Sequence, residues 1–261
     1  MSRAPNPKED DIFIAAAELI NQKGERLTTG SKNLDALLGG GIETGAITQF
    51  YGPPGSGKTQ LCCTICVTLP SQYNAIYIET ESKFRPERIE SIAKARGLDH
   101  TKILQNVQVA KPLDSTQQES SIEAACSAIS KPNSKIKLLI VDSMTAHYRV
   151  DYAGRSRLPE KQQRLNEYMH MLLRTAQTNG GVAVVVTNQM QSNPDGVFGE
   201  KSMPVGGQIM LYASTHVIHL RRLKLYNHQA ELVISPCYPR KVIDFVIDQR
   251  GVVDVVDYND K

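Results

Sequence analysis

The 261-residue chain is 41% hydrophobic and 22% charged, with 18 Gly, 13 Pro, 5 Cys and no Trp, which excludes disordered, collagen-like and disulfide-framework proteins. A chain of this length buries about three quarters of the surface its unfolded form exposes, so its core needs no metal or disulfide staple. Its formal net charge is only +3, too little to announce a polyanion partner, so the placement of the charges must decide.

Residues 1–11, MSRAPNPKEDD, are polar, of mixed charge and poor in apolar surface, which predicts a leader that does not fold on its own. They lack the apolar stretch behind a basic segment that a secretory signal needs. FIAAAELI at 13–20 has the composition of a short helix, and Gly24 closes it before the turn-forming Thr28-Thr29-Gly30-Ser31. NLDALLG predicts a second helix, stopped by a glycine triplet. The pattern then changes to apolar β-rich runs at 46–51, 75–79, 107–110, 137–142 and 182–188, separated by amphipathic segments at 59–68, 86–96, 116–130 and 159–178. Repeated βαβ units predict a parallel sheet whose strand ends build the site. Beyond residue 210 the helical spacing disappears, and THVIHLRR, AELVISP and VIDFVIDQRGVVDVV predict antiparallel strands, the last a hairpin turning at Gln249-Arg250-Gly251. The expected division is a leader and helix over 1–27 and one α/β core over 28–261. No apolar run approaches the roughly 18 residues of a membrane span, and five cysteines without framework spacing suit a reducing cytoplasm.

The run Gly52-Pro53-Pro54-Gly55-Ser56-Gly57-Lys58-Thr59 follows a predicted strand and opens a predicted helix with Gln60, the context that the phosphate-binding G-x-x-x-x-G-K-T motif requires. Its glycines let consecutive amides converge on phosphate oxygens, Lys58 reaches the β and γ phosphates, and Thr59 ligates Mg²⁺. ATP and Mg²⁺ are the cofactors this implies. Asp142 closes the buried run LLIVD, where its carboxylate orients the magnesium through water or else caps a turn. Glu79 and Glu81 end AIYIETE two apart, leaving one able to polarise an attacking water. The amides of Asn188 and Gln189 in TNQ are placed either to sense a γ phosphate or to satisfy backbone. Cys62, Cys63 and Cys66 share a helix without a second ligand pair, which predicts packing and not metal. The histidines at 147, 170, 216, 219 and 228 are scattered and receive no chemistry.

Several long motifs in order, LTTGSKNLDALLGGGIETGAITQFYGPPGSGKTQL, FRPERI, LLIVDSMTAHYRVDYAGR, VVVTNQM and PVGGQIMLYASTHVIHLRR, resemble the RecA superfamily, and within it the archaeal RadA and RadB recombinases. The resemblance spans about residues 12–257. It implies a RecA-like P-loop ATPase, α/β, with a largely parallel central sheet flanked by helices and antiparallel C-terminal strands. It implies Glu81 as the water-activating carboxylate, Arg88 against the adenine, and Gln189 coupling the γ phosphate to a DNA-binding loop. Two loops, 151–159 and 191–204, correspond to those that hold DNA in this family. The first offers Arg155 and Arg157, flanked by Arg149 and by Lys161 and Arg164 of the next helix. The second offers an apolar tip, Val197 and Phe198, to wedge between bases, and Gly206 and Gly207 close it.

Phe13 and Ala16 resemble the Phe-x-x-Ala element by which recombinase protomers dock on one another, implying rings or filaments. Single-stranded and homologous duplex DNA are the implied partners, in the cytoplasm with the nucleoid and away from membranes. Two departures stand out. Fewer than thirty residues precede the core, where RadA-type proteins carry an N-terminal helical domain, so the length resembles RadB, a regulatory paralog that would bind ATP and DNA and assist a full-length RadA-type recombinase. Ile234-Ser-Pro-Cys-Tyr-Pro-Arg240 lacks the Asp and Glu that this ATP-capping segment usually carries. Pro239, Arg240 and Lys241 instead offer a cationic cap for a neighbour's nucleotide. Ser82 and Lys83 replace small uncharged residues after Glu81, and Lys83 is expected to lower the basicity of Glu81.

Overall fold

A computed structural model describes residues 15–17, 24–152, 154–178, 180–192, 202–224 and 226–255. Phe13, Val197 and Phe198 lie outside the described residues, while Ala16 is exposed. Two short antiparallel strands, β1 (Arg26–Leu27) and β2 (Ile42–Glu43), bracket helix α1 (Lys32–Leu37). Ser31 caps α1 by accepting from the Leu34 amide. Asp254, from the far end of the chain, accepts from Ser31 Oγ at 2.5 Å and from the amides of Lys32 and Asn33 at 3.0 Å each. A carboxylate at the positive helix end thus ties the chain's two ends together.

The core follows as β3 (Ile47–Tyr51), α2 (Lys58–Thr68), β4 (Asn74–Glu79), α3 (Pro86–Ala95), α4 (His100–Asn106), β5 (Val107–Ala110), α5 (Ser115–Ile129), β6 (Ile136–Asp142) and α6 (Ala146–Asp151). A 3₁₀ turn (Arg155–Arg157) leads into α7 (Leu158–Ala176), β7 (Ala183–Asn188) and the ribbon β8 (Met190–Ser192) with β9 (Ser202–Pro204). Helix α8 (Gly207–Ala213) precedes β10 (His216–Arg222), β11 (Asn227–Ile234), β12 (Lys241–Asp248) and β13 (Gly251–Asp254).

Nine strands form one sheet in the order β13-β12-β11-β10-β3-β7-β6-β4-β5. The six from β10 to β5 are parallel, and β11 to β13 return antiparallel as a wing. Every residue of β3 and β7 is buried, as a sheet covered on both faces demands. On one face Phe50, Tyr77, Ile218 and Phe245 pack with Leu61 and Ile65 of α2 and Ile89 of α3. On the other, Ile47, Leu139 and Val184 meet Ile122 of α5 and Leu172 of α7. In β3, β4, β6 and β7 the two period-2 halves of each strand go to opposite faces, while the core residues of β10 to β13 all lie on the α2 face.

The expected parallel strands and long helices stand within two residues of their predicted limits, while β11 starts three residues before the predicted AELVISP. Three short helices, α4, α6 and α8, were not expected. Helix α4 buries no residue, so it leaves no apolar period to read. Helix α8 is capped by Gly206 and begins at Gly207, both at positive φ, where glycines predict a loop. The β12–β13 connection is tighter than expected: Asp248 pairs with Gly251, so only Gln249 and Arg250 turn.

Candidate functional site

Parallel strands deliver their C-terminal ends to one sheet edge, and the phosphate-binding motif lies there between β3 and α2. A Cβ at Gly52 would stand 2.2 Å from the Leu220 carbonyl oxygen, and one at Gly57 (φ 99°) would stand 2.6 Å from Ile247 Cδ1. The loop backbone is therefore pressed against β10 at Gly52 and against the wing at Gly57, where only glycine fits. Lys58 Nζ donates to the carbonyls of Gly52 at 2.8 Å and Pro53 at 3.1 Å. Burial lowers its pKa, partly opposed by Glu81 and Asp142. Ser56 Oγ is buried with no hydrogen-bond partner. An unpaired buried hydroxyl, an ammonium and bare amides at the start of an eleven-residue helix fit a polyphosphate. Pro54, Gly55, Gln60, Glu81 and Asp142 line the same cleft of about 330 Å³.

Asp142, buried at the tip of β6, accepts from Thr59 Oγ1 at 2.8 Å and Tyr77 OH at 2.7 Å on one oxygen, and from Thr187 Oγ1 at 2.5 Å on the other. It therefore caps no helix. Thr59 and Asp142 together are the hard oxygen donors that suit Mg²⁺. The sulfur alternative fails: Cys62, Cys63 and Cys66 are buried in the core, and burial pushes the Cys63 thiol up to about 12. Among the described residues no His, Cys, Asp and Glu group forms a metal cluster.

The two glutamates differ. Glu79 is buried and its Oε1 accepts from the amides of Glu81 and Lys83, both at 2.8 Å, so it shapes the turn after β4. Glu81 faces the cleft. Its Oε2 is ion-paired with Lys83 and its Oε1 accepts from Gln189 Nε2 at 2.6 Å. Burial alone would raise its pKa, but hydrogen bonds from Lys83 and Gln189 prevail and hold it below the ordinary value. Gln189 Oε1 in turn accepts from Arg149 at 2.6 Å.

Asn188 does not join Gln189. Its amide oxygen accepts from Thr145 at 2.6 Å and its nitrogen donates to the Val205 carbonyl at 2.5 Å. It is a buried brace for the turn before α8. Arg149, at the end of α6, lies near enough to Lys161 to lower that ammonium's pKa, second to burial. Two cations side by side invite a phosphate. Lys161 shares a groove with Gly206 and Gly207. Arg155 lies in the 3₁₀ turn. Arg157 stacks on Tyr152 at 4.5 Å and donates to the Asp151 carbonyl at 2.6 Å, holding that turn closed. Arg164 is spent on Glu119 at 3.3 Å and Glu167 at 3.5 Å, so its charge is balanced within the fold.

Arg88 lies outside the cleft lining. It donates to Gln60 Oε1 at 2.6 Å and to the Asp248 carbonyl at 2.7 Å, fastening the β12–β13 hairpin to α2. The cleft wall facing the P-loop instead carries Arg222 from the end of β10, Tyr226 just before β11, and His228 and Ile247 from the wing, all missed in the sequence. His228 Nδ1 lies 2.9 Å from the Tyr226 carbonyl, and its ring packs on Gly57. Strand alternation was the one signal available, since it puts 228 and 247 on the α2 face. The segment 235–240 lies at the other end of β11. Its Tyr238 accepts from Arg26 at 3.2 Å. Arg240 pairs with Glu231, which also holds Arg221 at 3.0 Å. Lys241 is the exposed first residue of β12.

The Rad51 family model matches residues 21–255. The DNA repair and recombination protein RadA of Cenarchaeum symbiosum (strain A) is 43% identical over 255 residues, which cover 94% of this chain. The match spans 63% of that relative's length.

Proposed function

This chain belongs to the Rad51 family, and from that premise we propose that it is an ATP-hydrolysing recombinase core of homologous recombination and repair. It assembles on single-stranded DNA, pairs it with a homologous duplex and releases it on hydrolysis. The observation that carries this reading is the unbroken line from the phosphate loop to a cationic surface, Glu81 to Gln189 to Arg149.

Lys58 leaves the Gly52 and Pro53 carbonyls for the β and γ phosphates, a charge-assisted exchange that favours the triphosphate. Thr59 and Asp142 would hold Mg²⁺, which when bound would offset phosphate charge. Glu81 takes the proton of a water whose oxygen attacks the γ phosphorus, and the bond to the bridging oxygen breaks with its electron pair left on ADP. Arg149, Arg155, Arg157 and Lys161 meet the DNA backbone, Val197 and Phe198 separate bases, and Gly206 and Gly207 let the backbone approach. Affinity is then salt-sensitive and sequence-neutral.

Phe13 and Ala16 dock each protomer on the next. The segment 235–240 supports assembly on other grounds: the eight residues of β11, at about 3.3 Å each, separate it from its own P-loop by roughly 25 Å. Whatever Pro239, Arg240 and Lys241 cap therefore belongs to a second copy. Mixing equal amounts of a Lys58→Ala protein and one carrying Arg240→Ala and Lys241→Ala should restore turnover at about a quarter of the interfaces, those that pair the intact P-loop of one with the intact cap of the other. No restoration rejects the shared site.

A regulatory, RadB-like role is favoured by one feature, the Ile234 and Arg240 that stand where acidic cap residues are usual. Purified protein with ATP, single-stranded DNA and a homologous duplex decides. Exchange of strands supports the recombinase; filament binding without exchange supports the regulator.

A further inference from the structure

We propose that Lys83 and Arg149 are positioning residues at the two ends of an inhibitory clamp on Glu81, and that a DNA phosphate opens it by drawing Arg149 off Gln189. The inference rests on the reading of Glu81 as the water-activating carboxylate and of the Arg149 face as DNA-binding.

The geometry is a four-residue chain. Lys83 holds one oxygen of Glu81, Gln189 Nε2 holds the other at 2.6 Å, and Arg149 holds Gln189 Oε1 at 2.6 Å. The Glu81 side chain is 13% exposed and Lys83 59% exposed. Water therefore meets a carboxylate whose two oxygens already serve an ammonium and an amide. Lone pairs committed in this way accept a proton poorly.

The amide of Gln189 has a fixed sense. Its nitrogen points at Glu81 because its oxygen is claimed by Arg149, and a flip would lose both bonds and set an oxygen against a carboxylate. Arg149 is thus the group that keeps Gln189 donating to Glu81. An amide oxygen is a neutral acceptor, whereas a phosphate oxygen is anionic and makes the stronger, charge-assisted bond to a guanidinium. Lys161 stands close enough to Arg149 for each to sense the other's charge, so a phosphate between them also relieves repulsion. Once Arg149 turns to the phosphate, Gln189 is free to rotate and Glu81 loses a donor. Lys83 is not reached by DNA and sets the resting level.

ATP turnover of the full chain, with and without an oligo(dT) probe, tests this. Arg149→Gln should raise DNA-free turnover about threefold to tenfold and shrink stimulation by oligo(dT) by the same factor. Unchanged or lower DNA-free turnover overturns the clamp. Lys83→Ser should also raise DNA-free turnover, keep the stimulation ratio, and move the acid limb of the pH–rate profile upward. A stationary limb removes Lys83 from the clamp. Glu81→Gln separates the layers: turnover surviving it, in protein that still binds ATP, overturns both the clamp and the reading beneath it. Turnover lost in Glu81→Gln but unaltered in Arg149→Gln overturns the clamp alone.

Discussion

The parallel half of the sheet and the antiparallel wing share one hydrogen-bonded layer yet use their ends differently. In the parallel half, β3, β4, β6 and β7 all finish at one edge, so Thr59, Glu81, Asp142 and Gln189 converge from segments far apart in sequence. The wing runs back and forth and so serves both edges. At the P-loop edge it supplies His228 and Ile247 as a wall against Gly57. At the opposite edge it presents the segment 235–240, anchored by Arg26 and Glu231. On the proposed function, strand direction divides the molecule into a half that would perform chemistry on its own nucleotide and a wing that would brace that nucleotide and face a neighbour.

The largest effect should come from the parallel half. Glu81→Gln keeps the shape and the Gln189 contact but removes the proton acceptor, so turnover should drop by about 10²-fold or more, with ATP affinity changed by less than about threefold. A comparable loss of affinity would mean that Glu81 binds and does not catalyse, and the division would blur. The wing should give the reverse pattern. His228→Ala removes the ring that packs on Gly57 and the hydrogen bond to Tyr226. We expect ATP to bind roughly tenfold more weakly, about 1.4 kcal/mol, with kcat within about twofold at saturation. Isothermal titration and steady-state kinetics on one preparation measure both quantities. A kcat defect with intact affinity would assign the wing to chemistry after all.

The same division decides what was legible. The parallel half announces itself, because a buried strand ending in Asp142 and a glycine loop ending in Lys58-Thr59 are local patterns whose chemistry follows from position. Glu79 was harder: it shares a motif with Glu81, and only the turn after β4, which needs a carboxylate for two amides, shows why it is unavailable. Asn188 and Gln189 are neighbours in sequence yet point to different tasks, since β7 ends at Asn188 and the chain's direction changes there. Arg164 reads as a DNA cation because sequence does not show Glu119 beside it. The wing was least legible. His228 acts through contact with Gly57, 171 positions away in sequence, and no spacing rule reaches that far.

His219 offers the smallest effect and the sharpest separation of bracing from chemistry. It lies on β10, the parallel strand between β3 and the wing, stacked on Tyr51 with centroids 4.6 Å apart. Its Nδ1 accepts from Arg221 Nε at 3.2 Å, and its Nε2 is buried without a hydrogen-bond partner. Burial first, then the Arg221 charge, lower its pKa from 6.5 to about 4, against a smaller pull from Glu231. The folded protein therefore keeps this ring neutral while the unfolded chain protonates it near 6.5. Unfolded chains bind the extra proton between those values, so stability is full above about pH 6.5 and falls as pH drops towards 4. Discounted for partial solvent access, the loss from pH 7 to pH 5 should be roughly 1–2 kcal/mol. His219→Phe keeps the stacked ring and deletes the titration, so urea unfolding at both pH values should show a correspondingly flatter dependence. Equal slopes for the two proteins would mean that the imidazole is solvated in the fold, and β10, which carries the wing, would then be less tightly closed against β3 than its packing indicates.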